Sequence, residues 1–300
     1  MNKEKTRAYL SLFSIYIIWG TTYLAIRIGV EELPPVLFAG LRWFIAGPIM
    51  FLFLAYRKYK LPTPNDIIHL AIPGILMLGI GNGFVVFAEQ YIPSGLAALL
   101  ITTTPFWMVG MESLLPGKRR PNLIVILGIV VGLVGVSLIF GSDFKELFKS
   151  ENLLGVISIL IAVIGWAGGT IYSKYKKVTI APLMGAAVQM SIAGIVMTLF
   201  GISIGELKVI HLSFDGLMAF FYLVAVGSWI GYGSYIYALN HLPVSLVSTY
   251  AYVNPVIALF LGWLILDEQI SASIVIAAIV IFAGVLLVKK GSEKYSSANN

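Results

Sequence analysis

Residues 245–266 read SLVSTYAYVNPVIALFLGWLIL, an uncharged 22-residue run ended by Asp267-Glu268. At a rise of about 1.5 Å per residue, a helix of this length crosses the ~30 Å hydrocarbon core of a bilayer. Asn254-Pro255 stands near its middle. A proline there removes the donor that would satisfy the carbonyl of Ala251, and in lipid such a group needs protein, water or ligand. The stretch therefore predicts a membrane helix broken at mid-depth, at the edge of a cavity. The pattern also occurs 150 residues earlier, where residues 93–115, PSGLAALLITTTPFWMVGMESLL, carry Thr104-Pro105 at the matching place.

Composition extends this reading to the whole chain. Its 300 residues are 59% hydrophobic and only 11% charged, with a mean hydropathy of +0.93, whereas soluble domains carry about 25% charged residues. Cysteine is absent, which excludes disulfides, thiolate metal sites and cysteine nucleophiles. Ten apolar runs follow one another, at 8–29, 36–56, 67–88, 94–115, 122–140, 153–173, 181–203, 215–239, 244–266 and 271–288. The first reads as a span and not as a cleavable signal. Its apolar part is too long, and no small-residue cleavage site precedes Arg27 and Glu31.

The net charge of +6 is dispersed in short interhelical loops and so signals orientation, not nucleic-acid binding. Fifteen Lys and Arg fall on one side: the N-terminus, the loops after spans two and four, the end of span six, and the tail. Lys145, Lys149 and Lys208 alone fall on the other. The split predicts cytoplasmic N- and C-termini.

The chain also repeats itself. A shift of 147 residues carries Trp19, Pro35 and Ile45-Ala46-Gly47 onto Trp166, Pro182 and Ile192-Ala193-Gly194. A shift of 150 carries Gly81, Gly83, Ala88, Pro93 and Pro105 onto Gly231, Gly233, Ala238, Pro243 and Pro255. The repeats are 8–140 and 153–288. Five spans is an odd number, so the second repeat enters the membrane from the opposite side. The predicted fold is an all-α polytopic membrane protein with ten transmembrane helices in two inverted five-helix repeats. That arrangement is typical of secondary transporters, with the site near midplane between the halves.

Several residues are candidates for a substrate pathway. Trp19 lies near mid-depth in span one, with Thr22, Tyr23 and Ile26 on its helical face, and Trp166 is its repeat mate. Aromatic residues normally gather at the interfaces, so a mid-depth pair either contacts substrate or fills core volume. Arg42 lies inside span two and has Gln189 as its mate. A charge there costs ~2.5 kcal/mol or more and faces the bundle interior or a wet cavity. Two readings of it stand side by side: a structural ion pair with Glu89 at the outer end of span three, or a contact between Arg42 and an anionic substrate group while Glu89 titrates. Asn82, between Gly81 and Gly83, lies near mid-depth. Tyr235, Tyr250 and Asn254 add polar groups along spans eight and nine. Pro105 and Pro255 are the predicted kinks, acting as gates. No nucleophile, metal or nucleotide motif stands out, so no catalytic residue, metal or cofactor is assigned.

Stretches such as IIWGTTYLAIRIGVE (17–31), GNGFVVFAEQ (81–90), PSGLAALL (93–100) and SYIYALNHLPVSLVSTYAYVNPVIALFLG (234–262), with the closing DEQIS, resemble the drug/metabolite transporter superfamily. Within it they are similar to the EamA family and its YedA-type permeases. The resemblance covers nearly the whole chain. It implies ten helices in two inverted repeats, an inner-membrane location, and secondary transport, often export, of amino acids, related metabolites or toxic compounds. The expected partners are a small-molecule substrate and the lipid bilayer, without nucleic acid; a coupling ion such as a proton stays open, as does oligomeric state. The rival readings are a passive pore, which lacks a filter sequence or a ring of like charges, and a non-transporting sensor or intramembrane enzyme.

Overall fold

The computed structural model describes residues 3–88, 90–92, 94–117, 120–140, 149–209, 213–266 and 272–297. Every regular element among them is helical. The first half comprises α1 (Lys3–Glu32), α2 (Pro35–Tyr56), α3 (Pro64–Pro73), α4 (Gly83–Ala88), α5 (Ser94–Ile101), α6 (Thr104–Ser113) and α7 (Leu123–Phe140). The second comprises α8 (Leu153–Tyr175), α9 (Pro182–Ser203), α10 (Phe214–Tyr222), α11 (Gly233–His241), α12 (Val244–Val247), α13 (Tyr250–Leu266) and α14 (Ala272–Ser297). Two π-helical segments, π1 (Gly74–Asn82) and π2 (Leu223–Tyr232), join α3 to α4 and α10 to α11. Six stretches among the described residues are long and apolar enough to cross a bilayer: Pro35–Tyr56, Pro64–Ala88, Ser150–Tyr175, Pro182–Ser203, Phe214–His241 and Ile274–Ser292. Large apolar side chains such as Leu52 and Phe53 on α2, Leu199 and Phe200 on α9, and Leu286 on α14 are exposed. Water would penalise that surface, whereas lipid matches it.

Helix starts follow local chemistry that links the halves. Pro35 and Pro182 open α2 and α9, positions where the missing N–H costs nothing. The α3 start is a capping box between Thr63 and Asp66. The buried Asp66 carboxylate also accepts from the backbone N–H and the hydroxyl of Thr179, each at 2.8 Å, just before α9. On the other side of the sequence, Glu206 accepts from the N–H groups of Leu37 (2.6 Å) and Val36 (3.3 Å), which α2 leaves without intrahelical partners. Each half thus offers one carboxylate to the chain around the start of the other half's second helix.

The most extensive helix contacts are α2 with α9 and α7 with α14. Both seams are lined with glycine. A Cβ on Gly194 would stand 2.5 Å from the Cα of Phe44, and one on Gly284 would stand 2.6 Å from the backbone nitrogen of Gly132. Gly128 and Gly132, four residues apart on α7, are therefore a packing feature, bringing α7 and α14 into backbone contact.

The breaks fall elsewhere than the prolines suggest. Pro105 sits in the first turn of α6, and the interruption is upstream at Thr102-Thr103, next to the Ile101 carbonyl that Pro105 leaves without its backbone donor. Pro255 lies inside α13 without ending it; that helix is separated from α12 at Ser248-Thr249. Side-chain bonding explains the displacement. The hydroxyls of Thr102, Thr103 and Thr104 donate to the carbonyls three residues back, at 2.5–2.7 Å. Those of Ser248 and Thr249 do the same at 2.9 and 2.6 Å. These bonds offer the carbonyls an alternative to the helical ladder.

Candidate functional site

Between the halves lies a cavity walled by α1, α2, the end of π1, α4, the α5–α6 break, α8 and α13. It holds about 780 Å³ of space between atoms, part of it continuous with the outside.

Trp19 and Trp166, repeat mates, meet across the two halves with ring centroids 5.6 Å apart and planes at 77°. This is the edge-to-face arrangement that the ring quadrupole favours. Tyr250 meets Trp19 edge-on at 5.0 Å. Each tryptophan is seated against a glycine of the other half. A Cβ on Gly231 would come within 2.7 Å of Trp19 Nε1, and one on Gly81 within 3.1 Å of Trp166 Cε3. Gly81 and Gly231 are themselves mates, at the ends of π1 and π2. The bare backbone at these two points is what admits a tryptophan pair to the centre of the molecule.

Arg42 lies on the cavity wall and is only 5% exposed. Its Nε donates to Ser228 Oγ at 2.9 Å, and Ser228 in turn donates to the carbonyl of Leu223, five residues back within π2. The guanidinium carbon lies 4.2 Å from the centroid of the Trp43 ring. A Cβ on Gly227 would stand 2.9 Å from Nη2, so the terminal fork rests against bare backbone. No carboxylate among the described residues pairs with this charge. Asn254 Nδ2, assigned by its bonding environment, donates to the carbonyls of Tyr250 (3.0 Å) and Tyr16 (3.2 Å), which ties α13 to α1.

Of the residues singled out in the sequence, Trp19, Arg42, Asn82, Trp166, Tyr250 and Asn254 come together on the cavity wall. Two others do not. Tyr235 is fully buried behind the tryptophans, 5.2 Å from Trp19 and 5.5 Å from Trp166, with its hydroxyl bonded to Thr170 at 2.6 Å. Gln189 is buried and accepts from Tyr232 at 2.6 Å. Glu89 and the side chain of Tyr23 lie outside the described residues. The wall also includes Thr22, Trp43 and Thr104. Thr22 is legible as a neighbour of Trp19 on one helical face. Ser228, which fixes Arg42, had no signal at all.

A family model described as the EamA-like transporter family matches twice, over residues 6–141 and 153–289. The chain belongs to the EamA-like transporter family. Membrane transport is accordingly its activity, and it is not an enzyme. Its EamA relatives include the uncharacterized inner membrane transporter YedA of Escherichia coli (strain K12), 37% identical over 282 residues that cover 94% of this chain and 90% of that protein. The uncharacterized transporter YoaV of Bacillus subtilis (strain 168) is 29% identical over 290 residues, 94% of this chain and 96% of its own. A solved crystal structure superposes with a TM-score of 0.81 at 19% identity, covering 97% of this chain and 99% of that one, which establishes a shared fold.

Proposed function

We propose that this EamA protein is a secondary carrier that exports a small metabolite across the cytoplasmic membrane by alternating access. In this reading it has ten spans in two inverted five-helix repeats, with both termini cytoplasmic. The inner-membrane name of the YedA relative supports the location, and the Lys and Arg distribution supports the orientation. The observation that carries the mechanism is the meeting of repeat mates Trp19 and Trp166, each seated on a glycine of the opposite half, beside a cavity between the halves. Inverted-repeat carriers place their site at such a seam.

The chain lacks cysteine, so single-cysteine labelling needs no prior substitution. A cysteine replacing Asn254 should be labelled from one side at a time, and which side should change with substrate and with an imposed pH gradient. Equal labelling from both sides in every condition would sink the carrier and favour a pore. Reconstituted vesicles should show saturable counterflow, and the same vesicles with a pH gradient test coupling to a proton.

A further inference from the structure

The Arg42 end of the cavity carries a more specific inference, one that rests on the transport reading for its meaning but not for its geometry. The guanidinium is nine-tenths buried and pinned through Nε by Ser228, leaving the Nη fork unmatched by any carboxylate among the described residues. A buried charge of this kind is costly unless something compensates it. The planar fork is the geometry that takes a carboxylate through two parallel bonds, and the ring of Trp43 lies beneath it. The polar groups elsewhere on the described wall, Thr22, Asn82, Thr104 and Asn254, are all neutral. Trp19, Trp166 and Tyr250 make the remainder aromatic.

We propose that Arg42 forms an organic-anion subsite and that the transported solute is a monocarboxylate with an apolar or aromatic body. Charge balance separates this class from its neighbours. A monoanion neutralises the guanidinium. The matching amide leaves the positive charge buried with no carboxylate partner among the described residues. A zwitterionic amino acid supplies the carboxylate but also brings an ammonium group, for which the described wall holds no opposite charge. Ser228 is a positioning residue: it touches Arg42 and orients the fork.

The test uses the purified full-length protein and its intrinsic tryptophan fluorescence, since Trp19, Trp43 and Trp166 all line the cavity. Acid and amide pairs of one shape are titrated, hydrocinnamate against hydrocinnamamide and octanoate against octanamide, with phenylalanine as the zwitterion. The expected result is saturable binding of at least one acid, about tenfold or more tighter than its amide, as loss of a buried charge partner implies, and tighter than phenylalanine in the aromatic series. Arg42→Gln should erase the difference between acid and amide, and Ser228→Ala should reduce it while Arg57→Gln, on the surface, leaves it intact. If Arg42→Gln fails to fold, the acid–amide comparison on the wild-type protein decides alone. The proposal is overturned if no acid binds, if acids and amides bind alike, or if phenylalanine binds as well as hydrocinnamate. Counterflow of the same compounds in vesicles separates the two readings. Charge-selective binding without counterflow removes the carrier and leaves the subsite, whereas counterflow indifferent to charge removes the subsite and leaves the carrier.

Discussion

The hydroxyl of Tyr232 donates to Oε1 of Gln189 at 2.6 Å, with both side chains buried. The corresponding residues of the first half, Asn82 and Arg42, stand 150 and 147 positions earlier. Both line the cavity, and no hydrogen bond joins them. One pair of repeat positions is therefore joined by a hydrogen bond while the other is not.

Tyr232→Phe removes the donor of that bond and leaves a buried carbonyl oxygen, a loss of about 1–3 kcal/mol. In a carrier this loss falls on the present state alone, so the equilibrium moves toward the state in which Arg42 and Asn82 approach each other. Labelling of a cysteine at position 254 from the side that dominates in the otherwise wild-type protein should fall about fivefold or more. A lowered melting temperature with unchanged labelling would make the bond merely structural.

The glycines beneath the tryptophans differ in how much room they leave. Gly231→Ala drives a carbon to 2.7 Å from Trp19 Nε1, whereas Gly81→Ala reaches only 3.1 Å from Trp166. Trp19 is held by Trp166, Tyr235 and Tyr250 and has little freedom to retreat. Gly231→Ala should therefore cost about 1–3 kcal/mol by overpacking, and Gly81→Ala less. Thermal unfolding in detergent gives the order, and the emission of Trp19 should shift in the first variant.

Asp66 accepts from the backbone and hydroxyl of both Thr63 and Thr179. Among the described residues, Glu206 accepts from two backbone N–H groups. Asp66→Ala should destabilise more than Glu206→Ala, whose cost is that of a lost helix cap, about 0.5–2 kcal/mol. Thr63→Ala, which leaves the Thr179 bonds in place, should cost less than Asp66→Ala. Melting temperatures of the three variants check the ranking.

The helix breaks make an opposite prediction for proline and threonine. Pro255→Ala should preserve transport and raise the melting temperature, because α13 is already helical through that position. Thr249→Val should impair transport at normal abundance, because it removes the bonds to the Leu246 carbonyl and to the Tyr16 hydroxyl at the break itself. Counterflow rates normalised to folded protein distinguish the two.

Much of this site was legible in the chain, for identifiable reasons. Trp19, Arg42, Asn82 and Asn254 are polar or aromatic residues at depths where lipid disfavours them, and depth follows from counting residues along a span. The repeat shift supplied their mates. It could not say which mate faces the cavity, because Arg42 and Gln189 occupy equivalent positions and one conformation treats them differently. The π segments were not foreseen either. A shift from four-residue to five-residue bonding has no compositional mark beyond the glycines at 79, 81 and 83 and at 227, 231 and 233. Proline was the obvious breaker, yet hydroxyls competing for carbonyls determine where α5 and α12 end.

The glycine seams have a mechanical meaning. Where α2 crosses α9 and α7 crosses α14, main chain rests on main chain, and not even one added carbon fits. At Gly194 and Gly284 the nearest neighbours are all backbone atoms, so no side chain is there to change rotamer and take up a displacement. Repacking between conformations must then occur where side chains do meet, around the tryptophans, the π turns and the hydroxyl-broken helices. The molecule is thus divided twice: along the chain into two halves, and across it into a stiff chassis of four glycine-bonded helices and the working part that the chassis carries.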